Sequence, residues 1–457
     1  MILSSSARAA GGLLALSVVV AGCSKNATPP EDVPPSVILI SLDTLRYDHC
    51  GFNGGERDTT PFLDEFAKQC LAFDRAYSTM SWTLIAHMSM LTGMYPTQHG
   101  VMEPEFALSR EIPGLAERLS KIGYTTLGVH FPGWLDPRFG FDRGFKSYES
   151  AENIVEAGEA VGDALESVRP GFPYFLFVHL FDIHSGDLID PSSTMYATPA
   201  PFDSIWVEDA KERLTGIDMR EWWDVGADPT IEQLEALVAL YDGGIRYVDS
   251  VLDTWFAEWE ERGLLDNTLV IITSDHGEGL FQRGKRFGGH GDLFEEGLRI
   301  PMLVRWPDGS RAGERSSGLV SLVDIVPTVM DVVELPPDER LPGFSLAGPP
   351  REEGDWVFAA RSKARAAVSL DRKVLYNNRP LAMRVLLLDE DPMELEPIRR
   401  GGDRKRFKEV AEPLLEDALE RLGSFDPGEP PVLTSELDDA SRARLEALGY
   451  GGEVGDK

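Results

Sequence analysis

Along the chain, short continuous runs of hydrophobic residues alternate with longer stretches in which apolar and polar positions mix at helical spacing. Val37-Ile38-Leu39-Ile40-Ser41-Leu42, Tyr174 to Leu180 and Leu269-Val270-Ile271-Ile272-Thr273 are continuous runs, the pattern of parallel strands buried on both faces. Thr125 to Val129 predicts another short strand. Between them the spacing predicts helices beginning at Thr60-Pro61, over Ile112 to Ile122, and from about Ile231 to Arg262. This alternation predicts an α/β fold with a large, mostly parallel central sheet covered by helices on both faces. Beyond about residue 345 the texture changes. Ala366 to Tyr376 and Ala382 to Leu388 read as strands around the turn Asn377-Asn378-Arg379-Pro380, followed by a charged helix from about Arg406 to Leu422. The expected organisation is a main domain over 36–345 and a small C-terminal α+β subdomain over 346–457.

The N-terminus carries a different pattern. Gly11 to Val20 is an apolar run too short to span a bilayer, preceded by Arg8, as in a cleaved secretory signal. It ends in Val20-Ala21-Gly22-Cys23, which resembles a bacterial lipobox. Residues 1–22 are then expected to be a lipoprotein signal peptide, and 23–35, rich in proline, an extended tether. Lipidated Cys23 would hold the protein on a membrane, at the periplasmic face or the outer membrane, without spanning it. An ordinary signal peptide containing a cysteine is the plainer alternative. In an oxidising compartment Cys50 and Cys70 either pair, closing a loop of about 20 residues worth roughly 3 kcal/mol, or stay two separate buried thiols.

Charge narrows the partners. The 457 residues include 44 Lys and Arg against 76 Asp and Glu, a net charge of −32. Such a surface repels phosphate, which argues against nucleic acid as a partner. An anionic substrate would need a local device, a metal ion or a small basic pocket, to overcome that repulsion. Gln282 to His290 holds Arg283, Lys285 and Arg286, either a solvated loop or a rim that draws anions in. Trp206, Trp222 and Trp223 mark an insertion that reads equally as a lid or as surface helices.

Several strand ends carry chemistry: Asp43 on the first, Asp182 and His184 on a middle one, Asp275 and His276 on a later one. Carboxylates and imidazoles at the carboxyl ends of parallel strands face the crevice where open α/β sheets place their sites, and together suit a divalent cation. Thr83 opens the segment Ser81 to Gly93. Its hydroxyl is either a nucleophile at a helix N-terminus or a plain N-cap.

These pieces carry a resemblance. Ser41-Leu42-Asp43-Thr44-Leu45-Arg46, Thr59-Thr60-Pro61, Leu91-Thr92-Gly93-Met94-Tyr95-Pro96, Phe177-Val178-His179 with Asp182-Ile183-His184, Tyr241-Asp242-Gly243-Gly244, Ser274-Asp275-His276-Gly277-Glu278 and Gly289-His290-Gly291 occur in order. In these the chain resembles the sulfatase family of the alkaline phosphatase superfamily, over roughly residues 36 to 450. The resemblance implies an alkaline-phosphatase-like sandwich and a metal-dependent hydrolase of sulfate or phosphate/phosphonate esters. It implies Asp43, Asp275 and His276 as ligands to one divalent ion, calcium, magnesium or manganese. A second ion near Asp182, His184 and His290 stays open. The implied substrate is a small anionic ester, from a glycan or a lipid. Thr83 stands where formylglycine-type members have Cys or Ser, so the family's aldehyde nucleophile is excluded and a threonine-ester mechanism is implied. His184 and His290 are implied to contact substrate oxygens or protonate the leaving group, and His87 stands where those members have arginine. The alternatives are a phospho-group transferase to a membrane lipid or glycan, and a binding lipoprotein without turnover.

Overall fold

The computed structural model describes residues 33–186, 195–215, 229–281, 288–351, 354–361, 364–377, 384–399, 402, 404–424 and 430–433. Cys23 and most of the tether, the Arg283 to Arg286 segment, and Trp222 and Trp223 lie outside them. Among the described residues nine strands build one sheet: β1 (Ser36–Leu42), β2 (Leu71–Tyr77), β3 (Thr125–His130), β4 (Ser147–Ser150), β5 (Tyr174–Leu180), β6 (Thr268–Thr273), β7 (Arg299–Ile300), β8 (Met302–Arg305) and β9 (Arg315–Ser321). Their spatial order is β7-β2-β8-β6-β1-β5-β3-β4, with β9 beside β2. Strand β1 runs parallel to both neighbours, β5 and β6, and the antiparallel pairings involve β7 and β8.

The continuous apolar runs are explained by what covers them. Successive side chains of a strand point to opposite faces, and β1 feeds two cores in turn. Val37 and Leu39 join one core with Phe175, Phe177, Leu269 and Ile271. Ile38, Ile40 and Leu42 join the other with Leu176, Val178, Val270 and Ile272. Taking the helices in chain order, α1 (Pro61–Phe66), α4 (Ile154–Glu166) and the 31-residue α5 (Ile231–Glu261) cover the second core. The first is covered by α2 (Thr83–Thr92), α3 (Leu115–Lys121) and α7 (Ile325–Val332), while α6 (Glu295–Leu298) leads into β7. Helix α5 begins at a capping box, in which Gln233 N–H donates to Thr230 Oγ1 at 3.2 Å and Thr230 N–H to Gln233 Oε1 at 2.8 Å.

Five antiparallel strands form a second sheet: β10 (Val357–Ala360), β11 (Ala364–Val368), β12 (Arg372–Asn377), β13 (Arg384–Leu387) and β14 (Ile398–Arg399). Val357, Ala359, Ala366 and Val368 reach into the first main core. The opposite face, with Phe358, Val374 and Val385, packs on Ala418 of α8 (Glu412–Ser424). Pro34–Lys457 is one compact unit. Three expectations are corrected in detail. Ala366 to Tyr376 is two strands joined at Ser369-Leu370-Asp371 rather than one. Helix α3 begins at Leu115 rather than Ile112, with Gly114 as its N-cap. The C-terminal helix begins at Arg404 rather than Arg406 and runs through a π-helical turn over Phe407–Ala411 into α8. Cys50 and Cys70 are free, buried thiols. Among the described residues no helix is long and apolar enough to cross a membrane.

Candidate active site

The strand alternation that builds the two cores also builds the site. On β1 the odd positions face α2, and continuing that parity brings Ser41 and then Asp43 to the same side. Ser41 pairs with His179 on β5 and with Thr273 on β6. Two residues beyond Thr273 comes Asp275. Ser41, Asp43, His179 and Asp275 thus converge at the carboxyl ends of the strands, beneath the N-terminus of α2.

Helix α2 presents its first residue to them. Trp82 is the N-cap and makes no side-chain cap bond, so Thr83 is the first helical residue. Its Oγ1 lies 3.3 Å from Asp43 Oδ2 and 3.3 Å from His276 Nε2, and it does not cap its own helix. Asp43 Oδ2 also accepts from His179 Nε2 at 2.9 Å. Asp275 Oδ1 accepts from His276 N–H at 2.8 Å and Thr44 N–H at 3.4 Å. Asp43 Oδ1 and Asp275 Oδ2, both fully buried, have no hydrogen-bond partner. The ring of His276 lies against these oxygens, its Nε2 3.4 Å from Asp275 Oδ2 and 3.8 Å from Asp43 Oδ1.

Two orphaned carboxylate oxygens in a buried site are expensive unless something positive lies between them. Burial pushes the Asp43 carboxyl up, and pushes Asp275 up with Asp43 adding to it. Burial by itself depresses His276, but Asp275 and Asp43 outweigh it and hold the imidazole above its ordinary value. His276 Nδ1 donates to Gly277 O at 2.9 Å, which leaves Nε2 turned to the carboxylates, holding either a proton or a cation in common with them. Asp43, Asp275 and His276 offer ligand atoms all within 4.8 Å of one another. This donor set, two carboxylates and one imidazole, fits a divalent cation.

The remaining expected residues fall in two places. His184 stacks on Phe181 at 4.0 Å between ring centres and meets His290 edge-on at 5.0 Å, and His290 stacks on His276 at 5.2 Å. These three imidazoles form a continuous wall ending at Thr83. Burial lowers both His184 and His290, which favours their neutral forms. His87 lies beneath the carboxylates, its Nδ1 3.5 Å from Asp275 Oδ2, and with His179 and Asp275 it forms a second group of ligand atoms within 4.8 Å of one another. It is fully buried one turn behind Thr83, with Nδ1 donating to Thr83 O at 2.9 Å and Nε2 accepting from Ser41 Oγ at 2.9 Å. Burial lowers its pKa to about 3. Both its nitrogens bond within the protein, so His87, standing where formylglycine-type members have arginine, positions Thr83 and Ser41. Asp182, His184 and His290, suggested as a second-ion set, do not bring ligand atoms within 4.8 Å of one another, and Asp182 Oδ1 accepts from Ile154 N–H at 3.1 Å at the N-terminus of α4.

Three contributors stood in the sequence motifs without an assigned role. His179 was hidden inside an apolar strand, although its odd position on β5 matches Asp43. Glu278 is fully buried and takes hydrogen bonds from Tyr196 OH at 2.6 Å and Ser185 Oγ at 3.0 Å, tying the segment after Asp275 to the one carrying His184. Tyr241 of α5 donates to Thr44 O at 2.7 Å and accepts from Arg46 N–H at 3.0 Å.

Residues 35–335, more than half of the chain, match the family described as Sulfatase. The chain belongs to the sulfatase family. Among its relatives, this sulfatase-family chain is 24% identical to the mouse N-acetylgalactosamine-6-sulfatase over 352 residues, covering 67% of this chain and 64% of that enzyme. It is 23% identical to an arylsulfatase of Clostridium perfringens, over 84% of this chain and 94% of that one. Among solved structures, the phosphonate monoester hydrolase of Agrobacterium radiobacter superposes with a TM-score of 0.67 at 20% identity, covering 88% of this chain and 100% of that one. The corresponding enzyme of Silicibacter pomeroyi gives 0.69 at 18% identity, with the same coverage. The shared fold is therefore a sulfatase and phosphonate-hydrolase fold.

Proposed function

We propose that this sulfatase-family protein hydrolyses sulfate or phosphate/phosphonate esters through a covalent ester of Thr83, with a divalent cation held by Asp43, Asp275 and His276. The observation that carries the reading is the placement of Thr83 Oγ1, 3.3 Å from both Asp43 and His276 and beside two orphaned carboxylate oxygens. A cation bound there supplies Lewis acidity that makes a nearby hydroxyl easier to deprotonate. Asp43 Oδ2 is placed to accept the Thr83 hydroxyl proton. Thr83 Oγ1 then attacks sulfur or phosphorus; a bond forms to Oγ1, and the bond to the leaving alkoxide breaks. Burial favours the neutral forms of His184 and His290; an anion beside them favours uptake of a proton from solvent, and that proton passes to the leaving oxygen. Water cleaves the Thr83 ester and returns the hydroxyl. The N-terminal N–H groups of α2 add partial positive charge at the attacked group.

Substrate class follows from charge. The carboxylates hold His276 up, but burial lowers His184 and His290, so the histidine wall carries little positive charge of its own, which suits a singly charged ester better than a doubly charged one. Sulfate monoesters and phosphonate monoesters share that single charge. The relatives' names, N-acetylgalactosamine-6-sulfatase and arylsulfatase, favour the first and the phosphonate monoester hydrolase neighbours the second. The test is hydrolysis of p-nitrophenyl sulfate, p-nitrophenyl phosphate and p-nitrophenyl phenylphosphonate by the purified protein, with and without added Ca²⁺, Mg²⁺ or Mn²⁺. Thr83→Ala is expected to lower kcat by about three orders of magnitude or more, as expected when a nucleophile is removed. Metal-stimulated turnover that survives Thr83→Ala would overturn the assignment.

A further inference from the structure

We infer that Arg361, from the second sheet, is the fixed positive charge that binds the ester's anionic group beside Thr83. The inference deepens the proposed function and rests on it.

Three observations locate this side chain. Arg361 directly follows β10, whose last residue is tied to the segment entering α2 by a bond from Ala360 N–H to Thr79 O at 2.9 Å. Arg361 N–H donates to Ala364 O at 2.9 Å and Ala364 N–H to Arg361 O at 3.3 Å, which ties the backbone of Arg361 to the start of β11. The guanidinium carbon stands 4.9 Å from the centre of the Trp82 ring, and Trp82 is the residue immediately before Thr83. Trp82 is in turn braced edge-on by Trp134 at 5.1 Å.

The end of the side chain reaches the segment that carries His290. A Cβ built on Gly291 would come within 3.7 Å of an Arg361 terminal nitrogen, so the guanidinium lies alongside the residue that follows His290. Its charge is also among the causes, after burial, that hold His290 low. A cation stacked on tryptophan keeps its N–H fork free for a planar or tetrahedral oxyanion. Among the described residues no carboxylate forms a salt bridge with Arg361. In a chain of net charge −32, an arginine without a carboxylate partner beside a buried reaction centre has a reason to be there.

The second sheet therefore contributes to the active site as well as to the core. A charged hydrogen bond to an oxyanion is worth roughly 1.5–3 kcal/mol, which corresponds to a change in affinity of about tenfold or more. The variants are Arg361→Ala, Arg361→Gln and Arg361→Lys, each checked by thermal unfolding; position 361 is only partly buried, so folding should be unaffected. For Ala and Gln, KM for p-nitrophenyl sulfate and p-nitrophenyl phenylphosphonate should rise about tenfold or more, with kcat changed much less, and Lys should recover part of the loss. The inhibition constant of inorganic sulfate should rise in parallel. Calorimetric titration of the metal-loaded protein with inorganic sulfate and phosphate reads the same contact without turnover. A wild type inactive on all esters would overturn the hydrolase reading, while calorimetry would still judge Arg361. Unchanged KM, inhibition constant and anion affinity in a folded Arg361→Ala protein would overturn this inference alone.

Discussion

At the scale of single residues the site is held by a backbone conformation that its sequence disfavours. Thr44, directly after Asp43, has φ of 57°, a left-handed conformation that costs a β-branched residue of order 1–3 kcal/mol. It persists because Tyr241 OH donates to its carbonyl and accepts from Arg46 N–H. Tyr241→Phe removes both bonds and leaves two buried backbone groups unsatisfied. We expect a loss of about 1–3 kcal/mol in urea unfolding, together with a fall in metal affinity as Asp43 drifts from Asp275. Unchanged metal affinity would show that Thr44 does not need this brace. The residues that sequence alone identified, Asp43, Thr83, Asp275 and His276, come together because strand ends and a helix start are local features. Tyr241 was legible as part of a motif but not as a brace, since it reaches Thr44 from an element far away in the chain. His87 was legible as a site residue but not as a buried one, because burial depends on what packs over α2.

At the scale of elements, short α1 shows how a long helix stabilises a neighbour. Asp249 on α5 accepts from Phe62 N–H and Leu63 N–H, both at 2.9 Å, filling two of the donors left open at the N-terminus of α1. Burial pushes the Asp249 carboxyl up to about 7, although those N–H groups and Arg246 lower it. The folded value lies above the unfolded 3.8, so the folded state binds this proton more tightly. The group's contribution to stability is therefore greatest below about pH 4 and falls as pH rises through 7, by up to about 1.4 kcal/mol per unit. Asp249→Asn should flatten the decline in unfolding free energy between pH 5 and pH 8. An identical pH dependence in the variant would sink the idea. The same scale explains which elements were readable. Strands β1, β5 and β6 are buried on both faces and read as unbroken apolar runs. Strand β2, with Asp74 and Arg75, and β9, whose first residues are Arg315-Ser316-Ser317, are too polar to be recognised until they pair with each other.

At the scale of the molecule, a net charge of −32 opposes compaction, and the second sheet must still be fastened to the first. One fastening is a buried ion cluster. Lys373 of β12, with no exposed surface, lies 2.6 Å from Glu295 Oε1 and 2.8 Å from Glu394 Oε1, and donates to Leu293 O at 3.3 Å. Glu295 also accepts from Tyr77 OH on β2 at 3.0 Å, and its N–H donates to Glu394 Oε2 at 2.7 Å. The cluster thus joins β2, α6 and the second sheet, and it holds the segment leading from His290 into α6. Burial raises the Glu394 carboxyl to about 7, partly offset by Lys373. Lys373→Met would strand two carboxylates in the interior, a loss expected to be about 3–5 kcal/mol. Without the ammonium, Glu394 would take up a proton more readily, so the loss should be smaller at pH 6 than at pH 8. Adding Glu394→Gln to Lys373→Met should recover part of the stability by removing one stranded charge. Urea unfolding of the single and double variants at both pH values measures these differences. If Lys373→Met were neutral at pH 8, the cluster would not be what fastens the two sheets. Because the cluster also supports the segment that follows His290, kcat should fall in Lys373→Met even under conditions where the protein stays folded.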